Sequence, residues 1–320
     1  MAIKKNTYFK IIVVGFTVLI TLFILDTFLN VNKQVTDKNN YNFINDSINK
    51  ANQDFALKNP YGFTDIERKK EKPDSVYRIA VIGDSYIWGD GLPYQKVWSH
   101  KLGKKISGKY KNVEVLSWGK NGWSTLDEYN FFIENGYKYH INLMLFGFVH
   151  NDTDMGDFKH LNPQWYKRLG FMYKILPRLT GAVLDYLYNG SYARWMKKLY
   201  TEENLEKYQD LLYKIKELEK KQNMQIAFIL TPSDLNEEYK VLFPKIDTLL
   251  SKAHLDYIDL FPMMQEKLAD LPPDSFKANP ANAHPGNIVT EFYANEAMTY
   301  IIQKKYIDSS FSIINSDISK

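Results

Sequence analysis

The chain has 320 residues, of which 45% are hydrophobic and 15% aromatic, so it can bury a sizeable core. Its 41 lysine and arginine residues against 37 aspartate and glutamate residues give a net charge of +4, too small over this length to argue for a nucleic-acid partner. The absence of cysteine excludes disulfides, thiolate metal sites and cysteine nucleophiles. One main domain with additional terminal segments accounts for a chain of this length.

Residues 1–30 have the pattern of a membrane-targeting segment. Three lysines among the first ten residues precede an apolar run over 11–25. No small-residue cleavage site follows this run, which favours an uncleaved anchor over a signal peptide that is removed. We therefore predict a cytoplasmic start and a transmembrane helix within 1–30, with the rest of the chain in a periplasm or on a cell surface.

The remainder divides into a stalk, a main domain and a tail. Residues 31–75 are rich in Asn, Asp and Lys and are predicted to form a polar stalk, with a polar helix possible over 44–57. From 76 to 305, short apolar runs alternate with helical patterns, as in βαβ units. The residues from 306 to 320 are predicted to form a polar tail.

The main domain is predicted to be an α/β/α sandwich. Five apolar runs are the predicted strands: 79–82, 113–116, 143–146, 226–230 and 257–258. Strands that alternate with helices in this way form a central parallel sheet covered on both faces, as in flavodoxin-like folds. Active sites of such sheets lie at the carboxyl ends of the strands.

An insertion over 157–200 interrupts this alternation. It is rich in basic and aromatic residues. We consider a lid over the site, a sugar-stacking surface, a patch on anionic lipid, or helices packed on the domain.

A serine stands where the first predicted strand ends, in Gly83-Asp84-Ser85. A glycine-rich loop, 88–91, follows it. A serine at such a turn exposes its hydroxyl to the crevice, which suits a nucleophile. The same three residues also fit an ordinary turn.

The next two strands end in groups suited to stabilising an oxyanion. Gly122 precedes a predicted helix, where its backbone N–H can face the crevice, and Asn151 follows the third strand with a side-chain amide. With the N–H of Ser85, these donors meet the need of acyl transfer. Alone, Gly122 would be a helix entry turn and Asn151 a loop cap. Asp84 and Asp152 are supporting residues.

The base is sought among six histidines. His284 lies in a turn-rich loop before the last predicted helix and is the best placed. His150 is the second candidate, but its neighbour Asn151 would put it beside the carbonyl oxygen instead of the serine hydroxyl.

These four blocks, in this order, resemble the SGNH hydrolases, also called the GDSL-like esterase and lipase family. The blocks are Gly83-Asp84-Ser85, Gly119-x-x-Gly122-x-x-Thr125, Asn151-Asp152 and His284-Pro285. The resemblance covers 77–302. It implies Ser85 as nucleophile, the N–H groups of Ser85 and Gly122 with the Asn151 amide as oxyanion hole, and His284 as general base. It implies no metal and no organic cofactor.

One position departs from the family pattern. The family usually has an aspartate two or three residues before the histidine, where this chain has Asn282 and Ala281. Asn282 can accept a hydrogen bond from the imidazole but carries no charge to stabilise imidazolium. A Ser–His dyad, a carboxylate from elsewhere such as Asp274, or loss of activity would each follow from this replacement.

The sequence thus predicts a serine esterase outside the cytoplasm, which removes acyl groups such as acetyl from a cell-envelope carbohydrate or lipid. The alternatives are an O-acyltransferase on an envelope glycan and a catalytically silent binding protein. The expected partners are the acylated substrate and the membrane, without nucleic acid.

Overall fold

The computed structural model describes residues 5–34, 38–156, 195–280 and 282–312. At its centre is a five-stranded sheet of order β2-β1-β3-β4-β5, all of whose neighbouring strands are parallel. Its strands are β1 Tyr77–Gly83, β2 Val113–Gly119, β3 Leu143–Phe148, β4 Gln225–Leu230 and β5 Asp256–Asp259. The five predicted strands and their parallel arrangement are confirmed, and the order is that of flavodoxin-like sheets.

Helices between residues 98 and 303 cover both faces of this sheet. In order along the chain, the helices are α1 Lys5–Gln34, α2 Lys38–Ala56, α3 Ser85–Trp88, α4 Trp98–Ser107, α5 Thr125–Glu134, α6 Glu202–Gln222, α7 Tyr239–Lys252, α8 Phe261–Leu268 and α9 Asn287–Gln303. Alternate residues of β1 enter different cores: Ala80 and Ile82 pack with α5, α6 and α7, whereas Ile79 and Val81 pack with α4, α8 and α9. The period of two along each strand therefore produces the three predicted layers.

A two-stranded antiparallel ribbon was not predicted. It pairs β6 Lys277–Asn279 with β7 Asn282–Pro285, in the segment predicted as a turn-rich loop. Gly286 ends the ribbon, and its N–H donates to the Phe276 carbonyl at 2.6 Å. A side chain at Gly286 would place its Cβ 2.2 Å from the Lys277 carbonyl oxygen, so the ribbon requires glycine there.

The predicted stalk over 31–75 is wrong for its central part. Helix α2 ends in a buried Ala56, and Phe63 is 1% exposed within the core beneath α5. Thr64 and Asp65 are buried too, and Asp65 accepts a hydrogen bond from the Ser117 N–H at 2.9 Å. The polar composition of this segment reflects its many amide hydrogen bonds, described below, and not a solvated linker.

The predicted transmembrane helix within 1–30 is not supported. The segment is helical from Lys5 onward as α1, and several of its large apolar side chains are exposed, for example Phe16 at 65% and Phe23 at 62%. Among the described residues, however, none of the helices combines the length and apolar character needed to cross a membrane.

Most of the predicted insertion, 157–194, lies outside the described residues, as do 1–4, 35–37, 281 and 313–320. The predicted tail begins later than expected. Tyr306 and Ile307 are buried, and the Tyr77 hydroxyl donates to the Tyr306 carbonyl at 2.7 Å. Residues 306–312 therefore belong to the packed domain.

Candidate active site

The serine is held at the carboxyl end of β1 by a one-turn helix. Asp84 caps α3 by accepting a hydrogen bond from the Tyr86 N–H at 2.8 Å, and Ser85 is the first helical residue. Helix α3 lies directly against the end of β2, because a Cβ at Gly119 would be 2.3 Å from the Trp88 nitrogen. Ser85 is 9% exposed, at the edge where active sites of such sheets form.

The imidazole of His284 reaches this serine from the ribbon. His284 Nε2 lies 2.9 Å from Ser85 Oγ, although 199 residues separate the two along the chain. The Tyr86 ring packs edge-on against the imidazole, with 5.6 Å between ring centroids. A nucleophile and a base at hydrogen-bond distance are the core of an acyl-transfer site.

Asn282 holds the other side of the imidazole. Its Oδ1 lies 2.6 Å from His284 Nδ1 and accepts the His284 backbone N–H at 3.0 Å. An acceptor at Nδ1 keeps the proton there and leaves Nε2 free to take the serine proton. The three predicted catalytic residues are thus in direct contact, as Ser85–His284–Asn282.

Asp274, the alternative carboxylate, does not complete the triad. Its side chain is 81% exposed and pairs with Lys277 at 2.8 Å. The structure instead brings to Asn282 three residues that the sequence analysis missed. Asp90 contacts the Asn282 amide, Asn45 of α2 contacts the same amide, and Asn49 of α2 contacts Asp90.

Asp84 offers the serine hydroxyl a second acceptor, with Ser85 Oγ 3.1 Å from Asp84 Oδ2. Burial raises the pKa of Asp84, while the hydrogen bond from the Tyr86 N–H and the nearby His284 oppose this rise. Asp84 therefore has two roles, as the cap of α3 and as a partner of the resting hydroxyl.

The blocks predicted to form the oxyanion hole meet at this edge. The Lys120 N–H donates to the Gly83 carbonyl, and the Thr125 N–H donates to the Asp152 carbonyl, both at 3.2 Å. Gly122 has φ +76° and open space on the side where a Cβ would lie, and Asn151 is half-buried in the turn after β3. Their donation to an oxyanion stays a prediction.

A pair of buried carboxyl groups lies behind these blocks. Asp152 Oδ2 accepts the Val149 N–H at 2.8 Å, whereas Glu128 of α5, fully buried, has no hydrogen-bond partner among the described residues. Burial raises the pKa of both groups well above the usual range, and repulsion from Asp84 adds to this rise in each of them. Asp152 thus supports the turn that carries Asn151.

The other candidate base is His150, in the turn after β3. It lies beside Tyr239, with 6.2 Å between ring centroids, and burial lowers the pKa of its imidazole. His100 has its Nε2 2.8 Å from the Thr64 carbonyl oxygen, to which it donates, and this is a packing role. Of the histidines considered, His284 is the one that the fold presents to Ser85.

A cleft of about 880 Å³ lies along α2. Its lining includes Trp88, three residues after Ser85, and Asn121, next to Gly122, but neither Ser85 nor His284. Eight of its lining residues can contact a polar ligand: Asp46, Asn49, Lys50, Gln53, Asp54, Trp88, Lys120 and Asn121.

The parallel five-stranded sheet of this order, covered by helices on both faces and with a Ser–His pair at its carboxyl edge, is the arrangement that the resemblance of the four sequence blocks to SGNH hydrolases implied. The chain is similar to an acetylxylan esterase from Geobacillus stearothermophilus, at 14% identity over 70% of this chain and 94% of that chain, with a TM-score of 0.45. It is also similar to a lipase/acylhydrolase from Enterococcus faecalis, at 14% identity over 72% of this chain and 97% of that chain, with a TM-score of 0.42.

No protein-family model matches the chain, and no curated protein matches it. At such identities and TM-scores, the structural likenesses carry no statement about activity or substrate. Both are inferred below from the residues of this chain.

Proposed function

We propose that this protein is a serine-dependent ester hydrolase. The observation that carries this proposal is the 2.9 Å contact between Ser85 Oγ and His284 Nε2 at the carboxyl edge of the sheet, with His284 Nδ1 held at 2.6 Å by Asn282. A hydroxyl is a weak nucleophile unless a base accepts its proton, and this geometry supplies the base.

The reaction follows from these contacts. His284 Nε2 takes the proton of Ser85 Oγ as the oxygen attacks the ester carbonyl, and the N–H of Gly122 and the amide of Asn151 stabilise the resulting oxyanion. The alcohol leaves with the proton from His284, which gives an acyl-serine. Water, activated by the same imidazole, then releases the acid and restores Ser85.

The cleft favours a polar substrate, namely an acylated carbohydrate or a lipid with a polar head. Amide, carboxylate and ammonium groups of Asn49, Gln53, Asp46 and Lys120 suit hydroxyl groups, and Trp88 offers an aromatic face. An acetylated oligosaccharide should therefore be hydrolysed with a higher kcat/KM than an acetyl ester of a small alcohol. Equal values for the two esters would contradict this choice of substrate.

The experiment that tests the activity is labelling of Ser85 by a fluorophosphonate, together with turnover of a small acetyl ester. We expect stoichiometric labelling of the native protein, and we expect Ser85→Ala to abolish labelling and lower turnover by at least about 10³-fold. Thermal unfolding of the variant checks that it folds. A native protein that labels no faster than a free serine would indicate the silent binding protein instead.

Transfer to a second alcohol is the alternative fate of the acyl-serine. Product analysis with a labelled acyl donor distinguishes the two, because hydrolysis places the label in free acid and transfer places it in a new ester. We propose hydrolysis, and a predominance of the new ester would make the protein an O-acyltransferase.

We also propose, from the sequence pattern, that the domain acts outside the cytoplasm and is held at a membrane by residues 1–30. The exposed apolar side chains of α1 support attachment, since contiguous exposed apolar surface marks interaction sites. Fractionation and protease digestion of intact cells test this proposal. Full-length protein recovered from the cytosol would contradict it.

A further inference from the structure

Asn282, which replaces the usual aspartate, is itself hydrogen-bonded to a carboxylate. Its Nδ2 lies 2.9 Å from Asp90 Oδ1, so the contacts continue from Ser85 through His284 and Asn282 to Asp90. Asp90 belongs to the loop after the serine, not to the segment that carries the histidine. We infer that Asp90 is the acidic member of the site, which acts on His284 through the Asn282 amide. This inference rests on the hydrolase proposed above.

The first argument concerns the orientation of the Asn282 amide. An amide can present either its oxygen or its NH₂ to the imidazole, and the wrong choice would select the wrong tautomer of His284. An ionised carboxylate only accepts hydrogen bonds, so Asp90 requires the Asn282 NH₂ on its side. The Asn282 oxygen must then face His284 Nδ1, which is the orientation that catalysis needs.

The second argument is that Asp90 is held for this contact. The Asn49 side chain of α2 donates to Asp90 Oδ1 at 2.7 Å and accepts the Gly91 N–H at 2.7 Å. Asn45, one turn earlier on the same helix, accepts a second hydrogen bond from the Asn282 NH₂ at 2.9 Å. Asp90 and Asn282 are thus held by their contact with each other and by two side chains of α2.

The third argument is the close approach of the backbone. Gly91 has φ +72°, and a Cβ there would lie 2.4 Å from Asn282 Nδ2 and 2.8 Å from Asn45 Oδ1. The loop therefore leaves space for the Asn282 amide where any other residue would fill it. Glycine serves both the left-handed conformation and this approach.

The chemical consequence is a positioning role with an electrostatic part. When Ser85 gives its proton to Nε2, the imidazole becomes a cation. The negative charge of Asp90 lies one amide away and stabilises that cation without taking its proton. Asn282 transmits the alignment, and Asp90 supplies the charge that Asn282 lacks.

The test moves the charge by one position, using Asp90→Asn, Asn282→Asp and the double variant. Asp90→Asn should lower kcat and the rate of fluorophosphonate labelling by about 10- to 100-fold, as loss of an outer-shell partner does, with little change in KM for a small ester.

Asn282→Asp alone should also lower the rate, because it places two carboxylates in contact. In the double variant the amide introduced at position 90 can donate to the carboxylate introduced at position 282, which now faces the imidazole directly. Activity should then return to within about threefold of that of the native protein. The losses of the two single variants do not add, because the two side chains are in contact. A merely structural role for Asp90 would not predict this rescue.

Asp274→Asn is the matched control. It changes an exposed carboxylate shortly before the ribbon and should leave kcat unchanged. Native kcat in Asp90→Asn, or losses that simply add in the double variant, would overturn the role of Asp90. Failure of Ser85→Ala to abolish labelling would instead overturn the proposed hydrolase, so the two failures are distinguishable. Thermal unfolding of each variant separates misfolding from a catalytic loss.

Discussion

At the scale of single residues, the site depends on amides used in defined orientations. The Asn282 oxygen accepts a hydrogen bond from His284 Nδ1, and its nitrogen donates one to Asp90. A carboxylate cannot donate, so the two ends of the amide cannot be exchanged. A carboxylate at the same position would have only the first of these abilities. The residue that departs from the family pattern is therefore accommodated by its surroundings.

Glu128 has a buried carboxyl group, neither oxygen of which has a hydrogen-bond partner among the described residues. Its pKa is raised by burial, so the folded state holds the proton to higher pH than the unfolded chain does. The favourable contribution of the protonated form is complete at pH values below about 4.3, the pKa of an unfolded glutamate, and is lost as the pH rises toward the folded pKa.

We therefore expect the difference in unfolding free energy between Glu128→Gln and the native protein to grow in favour of the variant as the pH rises above about 4.3. The growth should reach up to about 1.4 kcal/mol per pH unit and end above the pKa of Glu128 in the folded protein. Denaturant unfolding at several pH values between about 5 and 9 measures this gain. Glu134→Gln, at an exposed position of the same helix, is the control and should show no such trend. A pH-independent difference for Glu128→Gln would mean that its carboxyl group is ionised and paired.

At the scale of elements, α2 is the main difference between expectation and structure. Its composition predicted a solvated stalk, yet its polar side chains bind the loop that follows the serine. Asn52 is 2% exposed, and its amide donates to the Gly89 and Leu92 carbonyls at 2.8 and 2.9 Å while its oxygen accepts the Tyr94 N–H at 3.0 Å. Phe55 stacks on Tyr94 with 4.1 Å between ring centroids.

Asn52→Ala should consequently lower the free energy of unfolding by about 1 to 3 kcal/mol, because it removes three hydrogen bonds from a buried side chain to the backbone of this loop. Urea unfolding measures this loss. Gln53→Ala, at the exposed neighbouring position, should change the unfolding free energy by less than about 0.5 kcal/mol. Similar values for the two variants would mean that α2 is only loosely attached to the loop.

At the scale of the whole molecule, the sequence predicted the sheet because its signal is local. Most of each strand is a short apolar run. A strand covered on both faces needs apolar side chains at successive positions, and this pattern can be recognised in the sequence. Ser85 and His284 were predictable for a related reason, since each stands in a recognisable block. The packing of helix α2, the ribbon and the role of Asp90 were not predictable, because they arise from hydrogen bonds between residues far apart in the chain. Composition and periodicity indicated only a polar helix over 44–57, not its contacts.

In this site the acidic residue, Asp90, follows the serine in the chain, whereas the segment before the histidine supplies only the amide of Asn282. A pattern search that demands an acidic residue shortly before the histidine would therefore discard chains built in this way, or classify them as degenerate. The signature to search for has two halves, G-D-S-x-x-x-x-D and N-x-H, which in this chain begin at Gly83 and Asn282. Hydrolases that such searches have set aside as inactive become candidates for assay.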